Sequence, residues 1–157
     1  MRRRRVAEYA LAAATLVQVA VFSVAAPGFL SVANAVNIAL SIAIIGILAV
    51  GMTAVILTGG IDLSVGSVLA LAGVASAIGA AKGVPAVLVV ILALGVGAAT
   101  GIVNGTLIAY LRVPPFVATL ATMGIARGAA LLFTDGGRVQ LESTGFRRLA
   151  TGSVLGI

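Results

Sequence analysis

The chain contains no cysteine and no histidine, and only 4 of its 157 residues are acidic. Those absences exclude a thiol or imidazole metal site, a cysteine nucleophile and a histidine base. No glycine-rich phosphate loop ending in Gly-Lys-Ser or Gly-Lys-Thr occurs, so any ATP hydrolysis belongs to another polypeptide. Charge is scarce as well: 9% of the residues are charged, against about 25% in an ordinary soluble domain. Between Tyr9 and Thr134 the only charged residues are Asp62, Lys82, Arg112 and Arg127. No enzyme, cofactor or metal site is expected from such a chain.

What the sequence has in excess is apolar surface. Hydrophobic residues make up 61% of it, where a soluble domain has about 45–50%, and a soluble core of this length cannot hide that much. The chain reads as an all-α, polytopic integral membrane protein. The net charge of +6 is not a nucleic-acid footprint, because Arg2–Arg5 form one run directly before an apolar segment. Such a run is a topology signal for a cytoplasmic flank.

Five apolar stretches approach the roughly 20 residues that cross a bilayer core, and they fall at about residues 6–26, 36–57, 63–81, 86–111 and 115–133. The first competes with a signal peptide, since Ser23-Val24-Ala25 resembles a cleavage site. It is longer than the roughly 7–15 apolar residues of a signal peptide and leads into further apolar segments, which favours an uncleaved span. Pro27-Gly28 ends it, and Asn34 or Asn37 can cap the next helix. Lys82-Gly83 and Pro85 mark a tight connection, and Pro114-Pro115 suits a helix start. With the N-terminus inside, the Gly-Gly-Ile-Asp break at 59–62 and Arg112 fall on the cytoplasmic side, while Lys82 and the tail 134–157 fall outside. That tail carries turns at Gly136-Gly137 and Gly152, and a short amphipathic turn around Phe146–Leu149.

The polar break Thr58–Ser67 interrupts the apolar run between the second and third spans. Gly59 and Gly60 free the backbone so that one helix can end there, and Asp62 or Ser64 can accept from the first free N–H groups of the next. A capped turn is one reading. A broken-helix element facing a polar pathway is the other, because an ionisable group at membrane depth needs a partner or water.

Candidate pathway or helix-break residues are Thr53, Thr58, Gly59, Gly60, Asp62, Ser64, Ser67, Asn104, Thr119, Thr122 and Arg127, each hydroxyl having a bond back to its own helix as the alternative. Gly97, Gly101 and Gly105 share one helix face, as do Gly124 and Gly128, and both sets are expected to pack against neighbouring helices. Asn104 lies beside the first face, where its amide wants an interhelical partner. Arg127 sits inside the fifth span, where a guanidinium costs about 2.5–3.5 kcal/mol or more unless paired or wetted. An Asp62–Arg127 ion pair would need the break to dip into the membrane, or the fifth helix to begin later than residue 115. A helix-capping Asp62, with Arg127 satisfied by backbone carbonyls, water or another part of the protein, is the expected arrangement.

Gly-Gly-Ile-Asp-Leu-Ser-Val-Gly-Ser-Val-Leu-Ala-Leu, residues 59–71, resembles the signature of the ribose/xylose-type sugar permeases, the membrane subunits of bacterial ABC importers. The stretches from Asn104 to Leu120 and from Thr122 to Gly128 are similar to the same permeases, so the likeness spans about Leu30 to Arg138. The resemblance implies a bacterial inner-membrane subunit that dimerises, as homo- or heterodimer, among membrane lipid. It would receive sugar from a periplasmic or lipid-anchored binding protein and be driven by cytoplasmic ATPase subunits through alternating access. Such permeases are about twice as long, so the chain is expected to be an N-terminal half, from a truncated gene or an incomplete sequence. An ion-coupled secondary transporter is the rival class, disfavoured by the shortage of ionisable groups in the spans. A small non-transporting membrane protein is a third.

The topology has a direct test in this cysteine-free background. Arg3→Cys in intact cells stays unlabelled by an impermeant thiol reagent, and Ser143→Cys is labelled. Labelling at position 3 would reverse the orientation, and no labelling at 143 would contradict five spans.

Overall fold

The computed structural model describes residues 2–139, with side chains from residue 9 onward. Five helices follow one another: α1 (Arg2–Ala25), α2 (Val32–Leu57), α3 (Val65–Ala81), α4 (Ala86–Ala109) and α5 (Pro115–Thr134). No strand occurs among the described residues. The helices occupy the five apolar stretches with shifted ends. The turns expected at Gly152 and around Phe146–Leu149, and the cations Arg147 and Arg148, lie outside the described residues.

By length and apolarity α2, α4 and α5 can each cross a bilayer, while Tyr9–Ala25 and α3 are shorter apolar helices. At 1.5 Å per residue α3 is about 25 Å long, less than the ~30 Å of a hydrocarbon core.

The chain divides into two compact units, Met1–Val50 and Gly51–Ile157. In the first, the turn after α1 brings the rings of Phe22 and Phe29 to 5.8 Å between centroids. The start of α2 corrects one expectation. Ser31, not Asn34 or Asn37, caps this helix, its Oγ accepting from the Asn34 N–H at 3.2 Å. Asn34 turns its own amide back to donate to the Phe29 carbonyl at 2.6 Å. The helix therefore begins a turn earlier than the asparagines suggested, because a serine hydroxyl can take an orphan N–H just where the chain leaves the loop.

The second unit holds the last turns of α2 and all of α3, α4 and α5. α3 is its centre and packs on both α4 and α5. Its buried face is built from Ser76, Ala77, Gly79 and Ala80, which lets the neighbours come close. A Cβ on Gly79 would lie 3.6 Å from Val89 Cγ2 and 3.7 Å from Leu92 Cδ2, and Val89 is fully buried. On α5 the buried residues Ala118, Thr122, Ala126 and Ala130 recur every fourth position and form one stripe along the helix.

Large apolar side chains point the other way: Ile44, Ile47, Leu57, Leu94, Ile102 and Leu132 are all exposed. Small residues inside and large ones outside is the arrangement of helices that meet lipid, where close backbone approach drives association more than apolar burial does. Gly97, Gly101, Gly105, Gly124 and Gly128 have no atom within 4 Å of a built Cβ. The close approach this chain makes is at Gly79 instead. Within the second unit nothing described comes that close to the glycine faces of α4 and α5.

Gly79→Leu overfills the α3–α4 contact and is expected to lower stability by about 1–3 kcal/mol, whereas Gly79→Ala stays within about 1 kcal/mol of the parent. Gly101→Leu, facing open space, is expected to change the stability of this chain by no more than about 0.5 kcal/mol. Unfolding in mixed micelles measures all three, and a Gly101→Leu loss as large as that of Gly79→Leu would refute the packing described here.

Candidate functional site

The backbone leaves helical geometry once in the second unit at a buried position, between α2 and α3. α2 closes with a double hydrogen-bonded turn: the Gly59 N–H donates to the Ile56 carbonyl at 2.9 Å, and the Gly60 N–H to the Val55 carbonyl at 3.2 Å. Gly59 takes the left-handed conformation that this turn requires, at φ +78°. The Thr58 hydroxyl also donates to the Val55 carbonyl, at 2.7 Å, so its polar group is spent on its own helix end.

Beyond the turn, Ile61–Ser64 runs non-helically into the start of α3. Asp62 is half-buried, and its Oδ1 accepts from the Ser64 N–H at 2.7 Å and from the Ser64 hydroxyl at 2.6 Å. This carboxylate stands at the N-terminus of α3, where the helix dipole favours a negative charge. Ser64 itself makes no side-chain cap to the helix, which corrects one of the two expected capping roles. Its proton goes to the carboxylate instead.

Two neighbouring helices fasten this segment. From α4, the Asn104 side-chain amide donates to Ser64 Oγ at 3.2 Å. From α5, the Thr122 hydroxyl donates to Asn104 Oδ1, and the Thr119 hydroxyl donates to the Ile61 carbonyl at 3.2 Å and to Pro115 at 2.8 Å. Ser64, Thr119, Asn104 and Thr122 are only 1%, 2%, 6% and 8% exposed. Every donor in the chain Thr122 to Asn104 to Ser64 to Asp62 points toward the carboxylate, so each bond polarises the next. No buried side-chain polar atom among the described residues lacks a partner.

The other candidates stand apart from this relay. Ser67 is half-buried on the first turn of α3 and takes no part in it. Arg127 is exposed and lines an open groove between α3 and α5. Among the described residues no ion pair joins it to Asp62, whose bonds go to Ser64, and no backbone carbonyl accepts from it. Thr119 and Thr122 were visible in the sequence as polar residues one helical turn apart. The Ile61 carbonyl was not, since a backbone acceptor leaves no mark on residue type.

The arrangement contains no activated nucleophile and no acid–base pair. It is a positioning network that holds an interrupted backbone against two helices. Within it, Asp62 Oδ2 has no protein partner among the described residues.

The family described as branched-chain amino acid transport system / permease component matches residues 34–153. The chain belongs to that family. It is 45% identical to the ribose import permease protein RbsC of Escherichia coli (strain K12) over 133 residues, 85% of this chain and 40% of that protein. Over 141 residues it is 45% identical to RbsC of Bacillus subtilis (strain 168), covering 88% of this chain and 44% of that one. The galactofuranose transporter permease protein YtfT of Escherichia coli (strain K12) is 46% identical over 111 residues, 71% of this chain and 33% of that protein. The chain thus spans less than half the length of these curated relatives. No solved structure matches it significantly. Family and apolar helices together make it a multi-pass protein of the inner membrane.

The relay predicts which residues of this family member are coupled. Ser64→Ala and Asn104→Leu are expected to be non-additive by about 0.5–3 kcal/mol, while the losses from Asp62→Asn and Arg127→Gln add to within about 0.5 kcal/mol. Both double-mutant cycles are read from unfolding of the membrane-extracted protein. Strong Asp62–Arg127 coupling would contradict the separation of these two charges.

Proposed function

We propose that the chain is part of the transmembrane permease subunit of an ATP-driven sugar importer of the monosaccharide class, and that it contributes to a pathway opened by alternating access. The observation that carries this reading is the identity to ribose and galactofuranose permeases. In a 157-residue chain, a matching stretch of 133 residues takes in the whole of the Asp62–Ser64–Asn104–Thr122 network. The family's description speaks of branched-chain amino acids, but the ribose and galactofuranose permeases reported above are named for sugars.

In this reading the partners are a second permease subunit, cytoplasmic ABC ATPase subunits and a sugar-binding protein outside the membrane, and the N-terminus is cytoplasmic. The break Thr58–Ser67 borders the route. Asn104 holds its Ser64 hydroxyl and Thr119 its Ile61 carbonyl, and Asp62 Oδ2 is left as an acceptor for a passing hydroxyl. The glycine faces at Gly97, Gly101 and Gly105 and at Gly124 and Gly128 are surfaces for helices of the assembled transporter, where small residues permit close approach.

A chimera tests the reading. Residues 34–153 replace the aligned stretch of the Escherichia coli ribose permease, expressed with that bacterium's own ATPase and binding protein. ATP-dependent ribose uptake is expected in vesicles, and Asn104→Leu in the chimera is expected to lower it. A chimera that assembles with the ATPase yet moves no sugar would overturn the assignment, and uptake of leucine in its place would move the substrate class to amino acids.

A further inference from the structure

One feature of the second unit plays no part in the relay or in the proposed pathway. Between α3 and α5 lies an open groove of about 520 Å³, lined by Ala70, Gly73, Ala77, Thr134, Arg127 and Arg138 among others. Its walls are mostly small and apolar, and its charged groups are two guanidiniums. None of the described residues that line it is acidic. The Thr134 hydroxyl already donates to the Ala130 carbonyl at 3.0 Å, so the arginines are the groove's side-chain hydrogen-bond donors.

We propose that this groove binds the phosphodiester headgroup of an anionic phospholipid. Arg127 stands seven residues before the end of α5 at Thr134, about 10.5 Å along a helix axis. From that depth a long side chain can run along apolar surface toward the interface, and the groove provides the path toward Arg138. A guanidinium is always charged and presents a fork of N–H donors that matches phosphate oxygens two at a time. The same helix end carries exposed Leu131, which itself lines the groove, and exposed Leu132 and Phe133, which suit acyl chains. Cationic groups beside apolar walls fit an amphiphile with a negative head. A soluble anion would use the head of the site alone.

The test uses the full chain in nanodiscs or detergent, with dioleoyl-phosphatidylglycerol and dioleoyl-phosphatidylcholine as probes. Retained lipid is read by native mass spectrometry. Phosphatidylglycerol is expected to be preferred. The preference should fall about fivefold for each of Arg127→Gln and Arg138→Gln, and about 25-fold for both together. Arg112→Gln, on the loop after α4, should leave it unchanged. Arg127→Lys keeps the charge without the fork, so it should fold and bind with intermediate preference if the glutamine variant does not fold.

Equal retention of both lipids, or an equal loss with Arg112→Gln, would overturn the proposal. Displacement of phosphatidylglycerol by millimolar inorganic phosphate would make the groove a free-phosphate site. A dimer that disappears with Arg127→Gln, without lipid selectivity, would give the groove to an acidic segment of a second copy.

Discussion

Polar backbone that leaves a helix in apolar surroundings must find partners, because neither lipid nor an apolar helix face supplies any. The residues between α2 and α3 meet that constraint on every side. Glycine turns close the end of α2. Asp62 holds the N–H and hydroxyl of Ser64, Thr119 reaches the Ile61 carbonyl, and Asn104 braces Ser64 from α4. Hydrogen bonds to an ionised group contribute about 1.5–3 kcal/mol, and an orphaned buried polar group costs about 1–3 kcal/mol. Losing one member therefore disturbs its neighbour as well. The position of α3 between α4 and α5 follows from these bonds.

The small residues of α3 and α5 serve the same end. For Asn104 and Thr122 to reach each other and Ser64, three helices must lie close together, and a buried stripe of Ala118, Thr122, Ala126 and Ala130 allows it. In a soluble protein the leucines and isoleucines would occupy this space. Here they are exposed, since contact with lipid costs them little. Asp62 and Arg127 resolve their positions differently. Asp62 is neutralised locally by donors from the start of α3, whereas Arg127 stays at an exposed groove from which a long side chain can reach the interface.

Much of this was legible in residue order. Long apolar runs, Pro115 at a helix start and the Gly59-Gly60 pair mark five helices and a break, because span length, proline geometry and glycine freedom are local properties. The polar members of the site were legible as a set for the same reason: a hydroxyl, amide or carboxylate within an apolar run needs an explanation wherever it points. Ser31 shows the limit even of local reading, since two nearby asparagines satisfy the same capping preference.

The pairing belonged to the tertiary structure alone. Ser64 and Asn104 are 40 residues apart, and Thr119 and Ile61 are 58 apart. No periodicity within one helix says which face of another it will meet. The glycine rows on α4 and α5 carried the stronger packing signal, yet Gly79 makes the close contact. Small-residue spacing records that a backbone can be approached, and only the fold decides by what. Sequence by itself determined a membrane-spanning helical permease relative with a break between its second and third helices. The separation of Asp62 from Arg127, and the relay that holds the break, came from distances that exist only once the helices are packed.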